Sequence, residues 1–344
     1  MTNDANHTTM TDKANTTDKV NKAKAIPLNA RGIPASRLVL GCMPFGGEWD
    51  HSPLTEERVK LSEAAVEAAL SIGINMFDHA DIYTRGKSEE AFGRILKSGS
   101  GLREQIVLQS KCGIGLEDEE LPSRFDFSRD HILASVDGSL QRLGTDYLDV
   151  LLLHRPDPLM EPEEIAEAFA RLKASGKVRY FGVSNMNVSQ IRFIERALSD
   201  RLVVNQLEMG LGRLDFVEET VRVNQTRGAD VHFSEGLMEF SRTEQIQLQA
   251  WGPLAQGKFT GRDVSGEPEP VRKTAEMVRR MADEHGTTPE AVVLGWLMKH
   301  PALIQPVIGT MNPERIKACA DAEVQAARMS RDDWYRLYMT ARGD

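Results

Sequence analysis

The sequence predicts a (β/α)8 barrel: one α/β domain of parallel strands, preceded by a short unstructured tail. Three observations carry this. Eight short apolar runs recur along the chain, with helical patterns between them, as in successive parallel β/α units. Eight units in roughly 300 residues, with no linker-like segment among them, favour a closed barrel over an open sheet. From the second run onward, each run delivers a polar or aromatic residue at or near its end, and barrels gather their chemistry at the carboxyl ends of strands.

Residues 1–25 are Thr, Asn, Asp, Lys and Ala with hardly an apolar side chain, and cannot offset their ordering entropy by burial, so disorder is expected there. They also lack the apolar core of a secretory signal. The domain is expected to run from residue 26 to 344, and 41% hydrophobic residues suffice for its core. A formal net charge of −9 argues against a general nucleic-acid or anionic-membrane binder, though not against a local basic pocket for a phosphate. Cys42, Cys112 and Cys319 show neither metal-ligand spacing nor a disulfide pattern, so a reduced, cytoplasmic setting and no metal are expected. No window is long and apolar enough to span a membrane.

The first strand is predicted at residues 37–45 (RLVLGCMPF), ended by Gly46-Gly47. A helix follows over 54–71, with Thr55 as cap and Val59, Val66 and Leu70 on one face. The second strand ends in the stretch NMFDHADIY, followed by a helix over 88–97. Residues 105–112 (QIVLQSKC) form the third strand, which carries Lys111 on an otherwise apolar run. Ser128 caps a helix whose Ile132, Val136, Leu140 and Leu143 share a face. The fourth strand, 147–153, ends in His154; the helix over 162–174 opens with Pro162 and acidic residues, which the macrodipole favours there.

The fifth strand, 178–183, ends in Ser184-Asn185 and leads to a helix over 189–198. The sixth, 202–207, carries Gln206. Residues 209–245 show no clear period and are expected to be loop with one or two helices. The seventh strand, 246–251, ends in Trp251, followed by Gly252, Pro253 and Leu254. Helices over 270–285 and 289–299 precede the eighth strand, 303–308, which ends at Gly309-Thr310. Helices at 312–320 and 330–340 close the chain.

Barrel closure would bring Asp78, Tyr83, Lys111, His154, Ser184, Asn185, Gln206, Trp251, Thr310 and Arg315 to one rim. Alone, Asp78 with Tyr83 would fit a strand-terminating cap and a core-edge ring. The ordered set is more specific, because a structural rim has no reason to place a lysine at the core end of a buried strand.

These segments resemble the aldo-keto reductases. FDHADIY, SKCG, LLLHRPDP, FGVSN, NQLE and QPVIGT match that family's successive strand-end motifs, from about Leu38 to the C-terminus. Among its branches the chain is most similar to the bacterial YdhF-like oxidoreductases, through DHADIY, SKCGI, HRPDPLM and the closing MSRxxW.

The chemistry follows from the residues as well. A carbonyl that accepts hydride needs a proton donor for its oxygen. A free phenol, with a pKa near ~10, is a weak acid at neutral pH, and a nearby ammonium lowers that value. Lys111 suits that role for Tyr83, Asp78 would hold Lys111 charged, and His154 would donate to the substrate oxygen. The resemblance implies the same tetrad. It also implies a nicotinamide cofactor, with Ser184, Asn185 and Gln206 on the carboxamide and Trp251 as the stacking face. No GxGxxG follows the first strand, so a Rossmann fold is not indicated.

At the adenosine phosphate the sequence departs from the family's Lys-Ser-x-x-x-x-Arg pattern. Gly309 stands at the Lys position and Thr310 at the Ser position; Arg315 is kept, while Ala318 and Cys319 replace the usual Glu and Asn. Arg315 and the backbone donors after Asn312 favour NADPH over NADH. Lys258 is a candidate for the pyrophosphate. Substrate contacts are expected from loops 46–51, with Trp49 as a pocket wall, 113–127 and 209–232. The expected partner is a small carbonyl compound, an aldehyde or ketone. Two other readings remain open: an NADPH-binding regulatory protein with little turnover, and a lyase using Lys111 as a Schiff base, which would leave Ser184, Asn185 and Gln206 idle.

Overall fold

The computed structural model describes residues 25–118, 120–226 and 230–344; all of the predicted tail except Ala25 lies outside them. Eight parallel strands close into a barrel: β1 Val39–Gly41, β2 Met76–Asp78, β3 Val107–Cys112, β4 Leu148–Leu153, β5 Val178–Ser184, β6 Val204–Glu208, β7 Gln247–Trp251 and β8 Gln305–Ile308. Neighbours in space are neighbours in sequence, and β1 closes on β8 through Val39 opposite Val307.

Several strands are shorter than their apolar runs suggest. β1 stops at Gly41, and Met43–Gly46 turns into a 3-10 helix. Pro44 lies inside that turn, where it offers no N–H to a ladder. The predicted caps are present: the side chains of Thr55, Ser128, Thr288 and Asn312 each accept from backbone N–H groups of the first turn. The unreadable stretch holds two short helices, Asp215–Val221 and Leu237–Thr243. An antiparallel hairpin, Ile114–Gly115 with Arg124–Phe125, emerges from the loop after β3.

The barrel interior is layered. At its floor, Ile26, Leu28 and Ile33 are buried against Val39, Met76, Val107, Val150 and Val307. This plug, with its helical turn Pro27–Ala30, had no assigned element in the sequence. Four buried glutamines, Gln109, Gln206, Gln249 and Gln305, form the layer above. The larger apolar core lies outside, between strands and helices. At the C-terminal edge the indoles of Trp296 and Trp334 stack at 5.1 Å and 11°, and each Nε1 donates to the other's carbonyl. No described helix is long and apolar enough to cross a membrane.

Candidate active site

In a strand alternate residues share a face, so Gln109 and Lys111 both project into the barrel from β3. Lys111 Nζ lies 2.7 Å from Asp78 Oδ2 at the end of β2, 2.9 Å from the His79 carbonyl and 2.9 Å from the Tyr83 hydroxyl. The three ammonium protons thus have three acceptors. The Lys111 and Asp78 side chains are 1% and 3% exposed, so the pair is shielded from screening. Gln109 Nε2 holds the other carboxylate oxygen, Asp78 Oδ1, at 2.6 Å. The ring of His154 meets that of Tyr83 edge-on at 5.8 Å.

The turn carrying Tyr83 is forced. Thr84 and Arg85 take left-handed φ values of 47° and 59°. The loop after β1 presses on this turn so closely that a Cβ on Gly46 would fall 2.0 Å from Thr84 Oγ1 and 2.7 Å from a Lys87 backbone carbon. Only glycine fits at position 46, and the contact fixes the phenol's approach to Lys111.

The electrostatics differ in one respect from the sequence expectation. Burial pushes the Tyr83 phenol up, and the opposing pull of Lys111 does not reverse it, so the net shift is upward. Burial works against the Lys111 ammonium, but Asp78 and Tyr83 outweigh it and hold Lys111 charged. Burial, then the charges of Lys111 and Arg155, push His154 well below the ordinary histidine range, so its ring is neutral at physiological pH. His79, packed edge-on against Phe92, is pushed down by burial to about 3. Burial raises the Cys112 thiol well above its usual value, which speaks against a redox role for it.

A cleft of about 550 Å³ opens over this group. Asp78, Tyr83 and His154 form one side; Ser184, Gln206 and Trp251 form the floor and the facing side. Ser184 Oγ donates to the Gln206 carbonyl at 2.9 Å and accepts from Asn185 Nδ2 at 2.8 Å. Trp251 Nε1 donates to Asn185 Oδ1 at 3.3 Å. Asn185 itself sits at φ 57°, a left-handed position an Asn tolerates.

With the fold and this cleft in view, comparison with known proteins is decisive. The model of the aldo/keto reductase family matches residues 37–337. The chain belongs to the aldo/keto reductase family. It is 38% identical over 319 residues to the uncharacterized oxidoreductase YcsN of Bacillus subtilis, covering 91% of this chain and 97% of that one. It is 36% identical over 315 residues to a 6-dehydroglucose reductase of Agrobacterium fabrum, covering 90% and 96%. The oxidoreductase YdhF of Escherichia coli is 35% identical over 321 residues, covering 92% and 97%. The solved structure of the thermostable aldo-keto reductase Tm1743 shares the fold at a TM-score of 0.69, with 24% identity and coverage of 89% and 95%.

In this aldo/keto reductase Gly252, Pro253 and Leu254 line the cleft's continuation past β7, and Gly309, Thr310 and Arg315 line its far end. Arg315 Nη2 donates to Thr260 at 3.0 Å. Two expectations about the phosphate end change. Lys258 pairs with Glu267 at 3.0 Å and lines an adjoining cavity rather than the main cleft. The side chain of Asn312 itself takes up the N–H groups of Glu314 and Arg315, so those backbone donors are already engaged. Trp49 is 47% exposed and does not line the cleft, whereas Met43, Pro44 and Arg155 do. Gln109 escaped the sequence reading, although its place two residues before Lys111 on one strand put it on the same inner face.

Proposed function

We propose that this aldo/keto reductase uses NADPH to reduce the carbonyl of an aldehyde or ketone, with Tyr83 as general acid. The contact of Tyr83 with the buried Lys111–Asp78 pair, at the wall of a cleft that also holds His154, carries the reading. Trp251 offers an aromatic wall, and Gln206 keeps an amide oxygen and one N–H free of the protein's own bonds, which fits a nicotinamide carboxamide. The free side of Arg315 fits a ribose phosphate.

When bound, the nicotinamide supplies hydride to the carbonyl carbon. Neutral His154 donates a hydrogen bond to the carbonyl oxygen and orients it. Tyr83 delivers its hydroxyl proton to that oxygen as negative charge develops. Lys111 stabilises the resulting phenolate, and Asp78 keeps Lys111 charged and in place. The three unpaired, buried cysteines suit a cytoplasmic setting.

The test is NADPH oxidation at 340 nm with reactive aldehydes, diketones and, because of the 6-dehydroglucose reductase relative, a sugar-derived aldehyde. Tyr83→Phe should lose about 10²- to 10⁴-fold in turnover while binding NADPH as before. Tight NADPH binding without turnover of any substrate would favour the regulatory reading. Failure to bind NADPH would overturn the cofactor, and borohydride trapping of Lys111 with a carbonyl compound would then test the lyase.

A further inference from the structure

The four glutamines of the barrel interior share one connected set of hydrogen bonds. Gln305 Nε2 donates to the Ser36 carbonyl at 2.6 Å. Gln249 Nε2 donates to Gln305 Oε1 at 2.9 Å. Gln249 Oε1 in turn accepts from Gln109 Nε2 at 2.9 Å and from Gln206 Nε2 at 3.0 Å. Gln109 Nε2 spends its second proton on Asp78 Oδ1. Gln206, Gln249 and Gln305 stand side by side at one register of β6, β7 and β8, and Gln109 reaches them from β3 across the barrel.

The direction of this chain is not free. An amide can present either its oxygen or its nitrogen, but both ends here are acceptors only: a backbone carbonyl at the floor and a carboxylate at the top. Gln305 must therefore turn its NH2 to Ser36 and its oxygen to Gln249. Gln249 must turn its NH2 to Gln305 and its oxygen upward. Gln109 and Gln206 must then both approach with nitrogen. A reversed amide would set oxygen against oxygen in a site without water access, at the cost of an unsatisfied buried pair. Gln109 Oε1 already lacks a partner among the described residues, which shows that the network favours the Asp78 contact over full satisfaction of Gln109.

We propose that Gln109, Gln249 and Gln305 are positioning residues. Together they form a directional amide relay that fixes which atoms of Gln206 face the cofactor and holds Asp78 beside Lys111. This rests on the nicotinamide reading above. With one Gln206 N–H committed to Gln249, its Oε1 is presented to the cleft as an acceptor for the cofactor's carboxamide NH2. The relay thus has two branches, one to the cofactor through Gln206 and one to the proton-donating group through Gln109.

The two branches can be separated by binding measurements with NADP+ and its 3-acetylpyridine analogue, in which a methyl group replaces the carboxamide NH2. Wild type should bind NADP+ more tightly than the analogue by about tenfold, one hydrogen bond's worth. Gln249→Met and, more remotely, Gln305→Met free Gln206 to rotate and should cut that discrimination at least about threefold. Gln249→Glu should restore it: burial keeps the carboxyl neutral, its O–H replaces the donor to Gln305 and its carbonyl oxygen still accepts from Gln109 and Gln206. Gln109→Met should leave discrimination unchanged and lower kcat about tenfold or more. A merely space-filling core would give Gln249→Met and Gln249→Glu the same discrimination as wild type, and that result overturns the relay. Wild type that binds neither nucleotide would overturn the nicotinamide reading, and the relay's cofactor branch with it. If Gln249→Met does not fold, Gln305→Met and Gln249→Glu decide between the same two outcomes.

Discussion

The Lys111 ammonium lies 2.9 Å from the Tyr83 hydroxyl while its strongest partner, Asp78 Oδ2, is 2.7 Å away on the other side. The phenol therefore meets a cation that is already compensated. Lys111 can answer a developing phenolate without having been left as a lone buried charge beforehand.

Lys111→Met tests that arrangement. The substitution keeps the volume and leaves the Asp78 carboxylate buried with only Gln109 beside it. Breaking a buried pair from one side typically costs about 3–5 kcal/mol, so denaturant unfolding should show a loss of that order. Adding Asp78→Leu should return most of the stability, since replacing both members of such a pair is often close to neutral. Turnover should be lost in both variants. Recovered turnover in the double variant would sink the proposed role of Lys111.

The pH profile of reduction offers a second test. Tyr83 is pushed up, so its proton stays on through neutral and mildly alkaline pH and leaves only above the ordinary phenol range near ~10. His154 is pushed well below the histidine range, so it stays neutral and changes nothing near ~6.5. Turnover with saturating NADPH should show no His154 step near pH ~6.5 and should fall only as the pH passes about 10. A step near 6.5 that persists in Asp81→Asn and disappears in His154→Gln would contradict this assignment.

Much of this site was legible because chemistry that conflicts with its surroundings leaves a mark. Lys111 and His154 stand out as polar residues at the ends of apolar runs, and strand alternation then forces them inward. Gln109, Gln249 and Gln305 left a weaker mark, since glutamine in a strand is as common outside a sheet as within it; only closure across the barrel brings Gln109 to Gln249. The floor plug at Ile26 and Ile33 was unreadable for a different reason. It is irregular chain whose burial depends on the open end of a barrel that no local period describes. Lys258 shows the opposite limit, because a basic residue near a glycine suggests phosphate, and its partner Glu267 becomes visible only through the fold of the loop.

Asp81 carries a third prediction. Burial, and then the nearby Glu89 carboxylate, raise its pKa to about 7, with Arg142 and Ser135 opposing. An acid whose folded pKa lies above its unfolded value near ~3.9 binds more protons in the native state across the interval between the two, so its contribution to stability falls as pH rises from about 4 to 7. Asp81→Asn removes that loss. Its stability relative to wild type should improve between pH 5 and pH 8 by at most about 4 kcal/mol, as a shift of some three units allows. An equal effect at both pH values would mean that Asp81 is ionised throughout.

Arg315 decides the cofactor phosphate. It is the one basic side chain of the expected phosphate pattern that lines the far end of the cleft among the described residues, since Lys258 turns to Glu267 and Gly309 offers no side chain. Its guanidinium is 42% exposed and uses Nη2 on Thr260, with Glu290 at 3.7 Å, which leaves donors for a further anion. A charge-assisted bond to phosphate is worth about 1.5–3 kcal/mol, so Arg315→Ala should weaken NADPH binding by roughly 10- to 150-fold and leave NADH binding nearly unchanged. Direct titration with both nucleotides distinguishes this from a packing role. If both affinities fall together, Arg315 serves the loop around Thr260 rather than the ribose phosphate, and the preference for NADPH loses its main support.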